Sequence, residues 1–138
     1  MRRMRYVLLL TITLMFSGSA CVVTAADPIA ASEVTGQRGL LRATATPTPN
    51  PPSTGQNALT IAMVRTDGQA ATGCTIDVLP WMPAHGHGAT ATPLFEEEVG
   101  GIYLVSNINY TMPGHWELRV DAHCQGVTDH LVVSYEVQ

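Results

Sequence analysis

The sequence predicts an all-β fold, an immunoglobulin-like antiparallel β-sandwich of about six to seven short strands. Three observations lead there. Apolar and polar residues alternate with a period of two in segment after segment, glycine-containing turn signals separate the segments, and no stretch after the N-terminal leader carries a helical period.

Taken in order, the 138-residue chain opens with Arg2, Arg3 and Arg5, an apolar run from Tyr6 to Phe16, and small residues. This is the layout of a secretory signal, assigned to residues 1–26. Cys21 follows Gly18, Ser19 and Ala20 and is a lipidation candidate; ordinary cleavage and a retained anchor are the alternatives. Each places the remainder in the periplasm or otherwise outside the cytoplasm, with membrane contact only through an N-terminal anchor or lipid. Residues 27–57 include ATATPTPNPPSTGQN, rich in Pro and Thr, and are expected to form a disordered linker. The folded domain is then expected over residues 58–138.

Within that domain, ALTIAMVR alternates Leu59, Ile61 and Met63 against Thr60 and Ala62, and Thr66, Asp67 and Gly68 supply a turn. CTIDVLPW directs Cys74, Ile76 and Val78 to one face. A strand is expected within ATPLFEEE, and Gly100 and Gly101 turn the chain into IYLVSNINY. WELRVDAHC sets Trp116, Leu118, Val120, Ala122 and Cys124 opposite Glu117, Arg119, Asp121 and His123. After Gln125 and Gly126, HLVVSYEV offers Leu131, Val133, Tyr135 and Val137 as an apolar face. Strands with one apolar face need a second sheet to cover it, hence the sandwich.

Cys74 and Cys124 both have inward parity in an exported chain, so a disulfide between them is expected. It closes a loop of about 50 residues and stabilises by roughly 4 kcal/mol in the chain-entropy description. The alternative, two reduced metal ligands, fits inward pointing less well.

From Asn57 onward two arginines face nine carboxylates, a balance of −7, and the chain has no lysine. Nucleic-acid partners are disfavoured, because phosphate binding needs clustered cations. HExxH, nucleophile-elbow and phosphate-loop patterns are missing, which argues against an enzyme.

Two segments share the order Met, Pro, small residue, His: WMPAHGHG, with Met82, His85 and His87, and TMPGHWEL, with Met112 and His115. If one strand lies between residues 90 and 98, both segments reach the same end of the sandwich. Thioether sulfur favours copper(I) and imidazole suits copper in either oxidation state, so Met82, His85, His87, Met112 and His115 form a candidate metal site. Proline beside each methionine stiffens the loop. The alternative is metal-free: packing methionines at a structural tip or a protein-contact surface. His123 and His130 are read as solvated strand residues, Trp116 as core, and the run Glu96 to Glu98 as a solvated edge.

WMPAHGHG, GGIYLVSNINYTMPGHWELRVDA and the final strand together resemble the YtkA-like domain, related to FixH-type proteins, from about Ala58 to Val137. The resemblance implies a small extracytoplasmic immunoglobulin-like sandwich of the kind found in copper-handling or cytochrome-oxidase settings. It carries over Met82, Pro83, His85, His87, Met112, Gly114 and Trp116. Cys74 and Cys124 depart from the common pattern. The expected function is a non-catalytic binding module taking copper(I), or contacting a copper-handling or oxidase-assembly protein, through the Met-Pro-x-His loops. The alternative is a metal-free structural or interaction module tethered at the cell envelope.

Overall fold

The computed structural model describes residues 29–138; the leader and Cys21 lie outside the described residues. Two antiparallel sheets face each other. The first has the order β1 (Ser32–Thr35), β2 (Leu41–Thr48), β3 (Gly55–Arg65), β7 (Ile102–Tyr110) and β6 (Leu94–Val99). In the second, β5 (His87–Gly88), β4 (Cys74–Met82), β8 (Gly114–Cys124) and β9 (Val127–Val137) lie side by side. The expected sandwich is present: the strands read from the period-two pattern are β3, β4 and β7 to β9, and the strand expected between residues 90 and 98 is β6. Their inward residues form one core that includes Leu59, Ile61, Trp116, Leu118 and Val133.

The expected linker is corrected. Residues 29–57 are not a disordered tether, because they supply β1, β2 and the start of β3, and β2 pairs with β3 along its whole length from Leu41↔Arg65 to Thr48↔Ala58. LRATATPT alternates like the other strands, with Leu41, Ala43 and Ala45 buried and Arg42, Thr44, Thr46 and Thr48 exposed. Threonine favours the pleated backbone, and small alanines still close a core when bulky residues face them. Pro47 is tolerated because β1 ends opposite Ala45, so no β1 residue needs its missing N–H. Beyond β2 the Pro-rich segment is fastened as well. Thr54 N–H donates to the Gln138 carbonyl at 2.8 Å and Gln138 N–H to the Pro52 carbonyl at 3.0 Å. The buried Asn57 amide donates to the carbonyls of Ser53 and Gly55.

Cys74 and Cys124 are bonded to each other, as their parity predicts. They sit directly opposite in the β4–β8 pair, with Cα atoms 4.1 Å apart. The bond therefore joins neighbours within one sheet and leaves the sheet-to-sheet connection to packing and hydrogen bonds. Tyr103 makes one such connection: its hydroxyl donates to the Ala71 carbonyl at 2.8 Å and accepts from Cys74 N–H at 3.0 Å. Tyr135 on β9 reaches the Ala45 carbonyl on β2 at 3.3 Å.

The most concentrated connection is Asp129, 1% exposed at the start of β9. Its carboxylate accepts the backbone N–H groups of Arg38, Leu40 and His130 at 2.8 Å and of Leu41 at 3.0 Å. Gly36 completes the loop because any side chain there would overlap the carboxylate. Burial alone would raise the Asp129 pKa, but the donors from Arg38, Leu41, His130 and Leu40 outweigh it and hold the carboxyl below its ordinary value. Charge-assisted bonds of this kind are about twice as strong as neutral ones.

Two outcomes are expected. A chain beginning at Ala58 loses β1, β2 and the wholly buried Leu41, a loss on the order of 5 kcal/mol or more and comparable to the stability of a whole small domain. Circular dichroism should show no cooperative melt, and a melting temperature equal to that of the mature chain would contradict the corrected boundary. Asp129→Asn should cost about 2 to 4 kcal/mol at neutral pH, by loss of the charged acceptor. The depressed pKa makes the carboxylate's contribution fully present above the ordinary aspartate value of 3.8 and lost as pH falls through the lower folded-state value. The gap in melting temperature between wild type and variant should therefore narrow on acidification below about pH 4, and a constant gap would refute the assignment.

Candidate functional site

β4 runs toward Met82 while β8 starts at Gly114, and the antiparallel register Trp81↔Glu117 sets the end of one beside the start of the other. The two Met-Pro segments thus meet at one end of the sandwich. The disulfide lies at the opposite end of the same two strands.

The first segment is a hairpin. Met82 pairs with His87 and Trp81 with Gly88, and the turn closes with His85 N–H and Gly86 N–H both donating to the Met82 carbonyl, at 3.2 and 2.9 Å. Gly86 takes φ +66°, a left-handed conformation that favours glycine. Directly opposed residues of an antiparallel pair project to the same side, so the Met82 thioether and the His87 imidazole are neighbours. His87 Nδ1 lies 3.2 Å from the Gly88 carbonyl. A carbonyl only accepts, so this contact is made through Nδ1–H, which leaves Nε2 as the nitrogen that could ligate. The His85 and His87 ring centroids are 5.8 Å apart. Two imidazoles sharing one ion have centroids roughly 5 to 6 Å apart, given metal–nitrogen distances of about 2 Å.

The second segment is held by Trp116. Its indole N–H donates to the Met112 carbonyl at 3.0 Å, fixing the loop before β8. The His87 ring meets the indole edge-on with centroids 6.2 Å apart, and Tyr110 packs on it at 5.2 Å. Met82 is 4% exposed, and its Cε lies 3.0 Å from the point where a Cβ on Gly114 would sit. Met112 is half-buried against the same core.

Of the five sequence-predicted site residues, Met82, His85 and His87 share the β4–β5 hairpin and Met112 lies on the neighbouring loop, with the His87 ring and the Met112 carbonyl against the buried indole. His115 stands apart. It has outward parity on β8, and its Nδ1 is 2.8 Å from Glu136 Oε1 on β9. Met82 and Met112 also perform the packing role weighed as the alternative. His123 faces outward, with Nδ1 3.1 Å from Thr128 Oγ1, and His130 contacts Asp121. Among the described residues no three His, Cys, Asp or Glu side chains converge to hold an ion. An ion at this end would draw on thioether sulfur as well as imidazole, a donor set suited to copper(I).

Sequence reading missed Trp81. It lies on the outer face with the Arg119 guanidinium 5.0 Å above its ring, and Arg119 also bonds Glu117 Oε2 at 2.8 Å. Outward parity between buried Pro80 and Met82 is the signal that shows it.

The family model for YtkA-like proteins matches residues 40–121, more than half of the chain. The chain belongs to the YtkA-like family. No curated protein and no solved structure matches it. The YtkA-like match begins just before β2, ahead of the start expected at Ala58, and spans both Met-Pro segments. It stops within β8, so Asp129 and all of β9 lie beyond it. The family is extracytoplasmic, and a buried disulfide is consistent with an oxidising compartment.

Proposed function

We propose that this YtkA-like domain is a non-catalytic copper(I)-binding module whose ligands are Met82, Met112 and His87, with His85 completing the set. The observation that carries the reading is the pairing of Met82 with His87, which sets a thioether beside an imidazole whose Nδ1 faces the Gly88 carbonyl. Second-sphere hydrogen bonding of this kind orients a metal-ligating imidazole and raises its basicity. Trp116 holds both loops in place before an ion arrives, which lowers the ordering cost of binding. Such a domain would store copper(I) or present it to a copper-handling or oxidase-assembly protein outside the cytoplasm. His115, paired with Glu136, is not part of the proposed set.

A competition titration with a copper(I) chelator tests the reading. Met82 is buried, so truncation to alanine would confound binding with folding; leucine keeps the volume and removes the sulfur. Met82→Leu, Met112→Leu and His87→Ala should each weaken copper(I) binding at least tenfold, and the double leucine variant should lose little more than either single one. Acidification should weaken binding, because protons compete for the imidazole. A double variant that keeps its melting temperature and binds copper(I) as tightly as wild type would leave the two methionines as packing residues. The metal-free interaction module would then be the better description.

A further inference from the structure

The polypeptide enters the sandwich at the Met-His end. Asn50, in the turn between β2 and β3, clamps the main chain of Ile29: Ile29 N–H donates to Asn50 Oδ1 at 2.8 Å, and Asn50 Nδ2 donates to the Ile29 carbonyl at 2.9 Å. That turn belongs to the same end as the two Met-Pro segments. Gly55, where β3 begins, pairs with Tyr110 just before Met112, and Gln138, which bonds both Pro52 and Thr54, follows the Val137 that pairs with Gly114. Asp129 and the disulfide lie at the far end.

The length of chain before Ile29 limits how the domain can sit at a membrane. Tyr6 to Thr24 is a run of 19 residues without a charge, long enough to cross a bilayer. Ile29 follows Thr24 by five residues, a reach of at most about 18 Å, and Cys21 by eight, a reach of at most about 29 Å. β8 and β9, each 11 residues, are about 35 Å long. A tether shorter than the sandwich and fixed at the Met-His end cannot turn the domain onto its far end.

Charge favours the same orientation. Residues 29–138 hold four arginines against ten carboxylates, yet the turns at the Met-His end, residues 49–54, 83–86 and 111–113, contain none of them. The rest of the surface is charged. Asp77, Glu117 and Asp121 face outward on the second sheet, Glu33 and Glu96 on the first, and Arg38 and Asp67 lie in turns at the far end. Carboxylates and an anionic lipid surface repel across about 8 to 10 Å at ordinary ionic strength, so an acidic domain approaches such a surface most easily by its uncharged end.

We propose that the N-terminal segment keeps the protein at the membrane and that the Met-His end is the surface turned against the lipid headgroups. The tether limits the orientation and the charge pattern selects it. A ligand taken up at this end is then handled at the bilayer surface rather than in open solvent. The orientation does not depend on whether that ligand is copper(I).

The test uses the full-length chain, recovered from cell membranes in detergent and reconstituted into vesicles of phosphatidylethanolamine and phosphatidylglycerol with nitroxide-labelled headgroups. A fluorescent amino acid replaces Ala84 or Thr111, both exposed at the Met-His end, or Gln37 or Thr66, both exposed at the far end. Each variant is checked for an unchanged melting temperature. Labels at Ala84 and Thr111 should lose most of their emission to the headgroup quencher, while labels at Gln37 and Thr66, about 35 Å further out, should keep theirs. Cys21→Ser separates the two possible anchors: it leaves the protein in membranes if the run from Tyr6 to Thr24 spans the bilayer, and releases it if a lipid on Cys21 holds it. Any of three results overturns the proposal: release of the unsubstituted protein from cell membranes by alkaline carbonate, equal quenching at both ends, or stronger quenching at Gln37 and Thr66.

Discussion

Trp116 is wholly buried, and both loop segments reach it, one through the Met112 carbonyl and the other through the His87 ring. An indole of this size removes on the order of 200 Å² from water and has a single polar atom to satisfy. That atom is satisfied by the Met112 carbonyl, so the loop before β8 cannot move without exposing a buried donor. The indole also packs against His87, and thereby the hairpin after β4, and against Tyr110. Two segments far apart in the chain share one end of the sandwich because the same side chain seats both. A site built on loops gains the rigidity of the core in this way.

The fastenings that survive without packing lie at the other end. There the disulfide joins β4 to β8, and Asp129 gathers four backbone donors, two of them from the loop between β1 and β2 and a third from Leu41 at the start of β2. A buried carboxylate is tolerable only with its hydrogen-bonding capacity filled, and here the filling also ties the first sheet to the second. Covalent and ionic constraints hold one end, and aromatic packing on Trp116 holds the other. The high-energy connections are remote from it.

Much of this was legible in the sequence, and the exceptions have physical causes. The period-two pattern located β3, β4 and β7 to β9 and the inward parity of both cysteines, because burial on one face leaves its mark at every second residue. Residues 41–48 carry the same pattern, but in alanines, threonines and a proline, whose apolar contrast is too weak to mark a strand. The Met-Pro-x-His repeat and the expected strand near residues 90–98 correctly brought both loops to one end. Parity also separates His115 from Met82, since His115 neighbours the inward Trp116 and must face out. Asp129 has the parity of Leu131, Val133 and Tyr135, and a carboxylate at a core position is the mark of a buried acceptor awaiting donors. Its donors come from a loop about 90 residues away, which no local pattern encodes.

X-ray absorption at the copper edge of the copper(I)-loaded domain addresses most directly whether this end is a metal site built on Trp116. The account predicts a mixed first shell, with sulfur at about 2.3 Å from the two thioethers and nitrogen at about 2.0 Å from imidazole. It also predicts that the sulfur contribution disappears in the Met82→Leu, Met112→Leu double variant. A shell of nitrogen and oxygen alone in the wild-type protein, unchanged in the double variant, would contradict it.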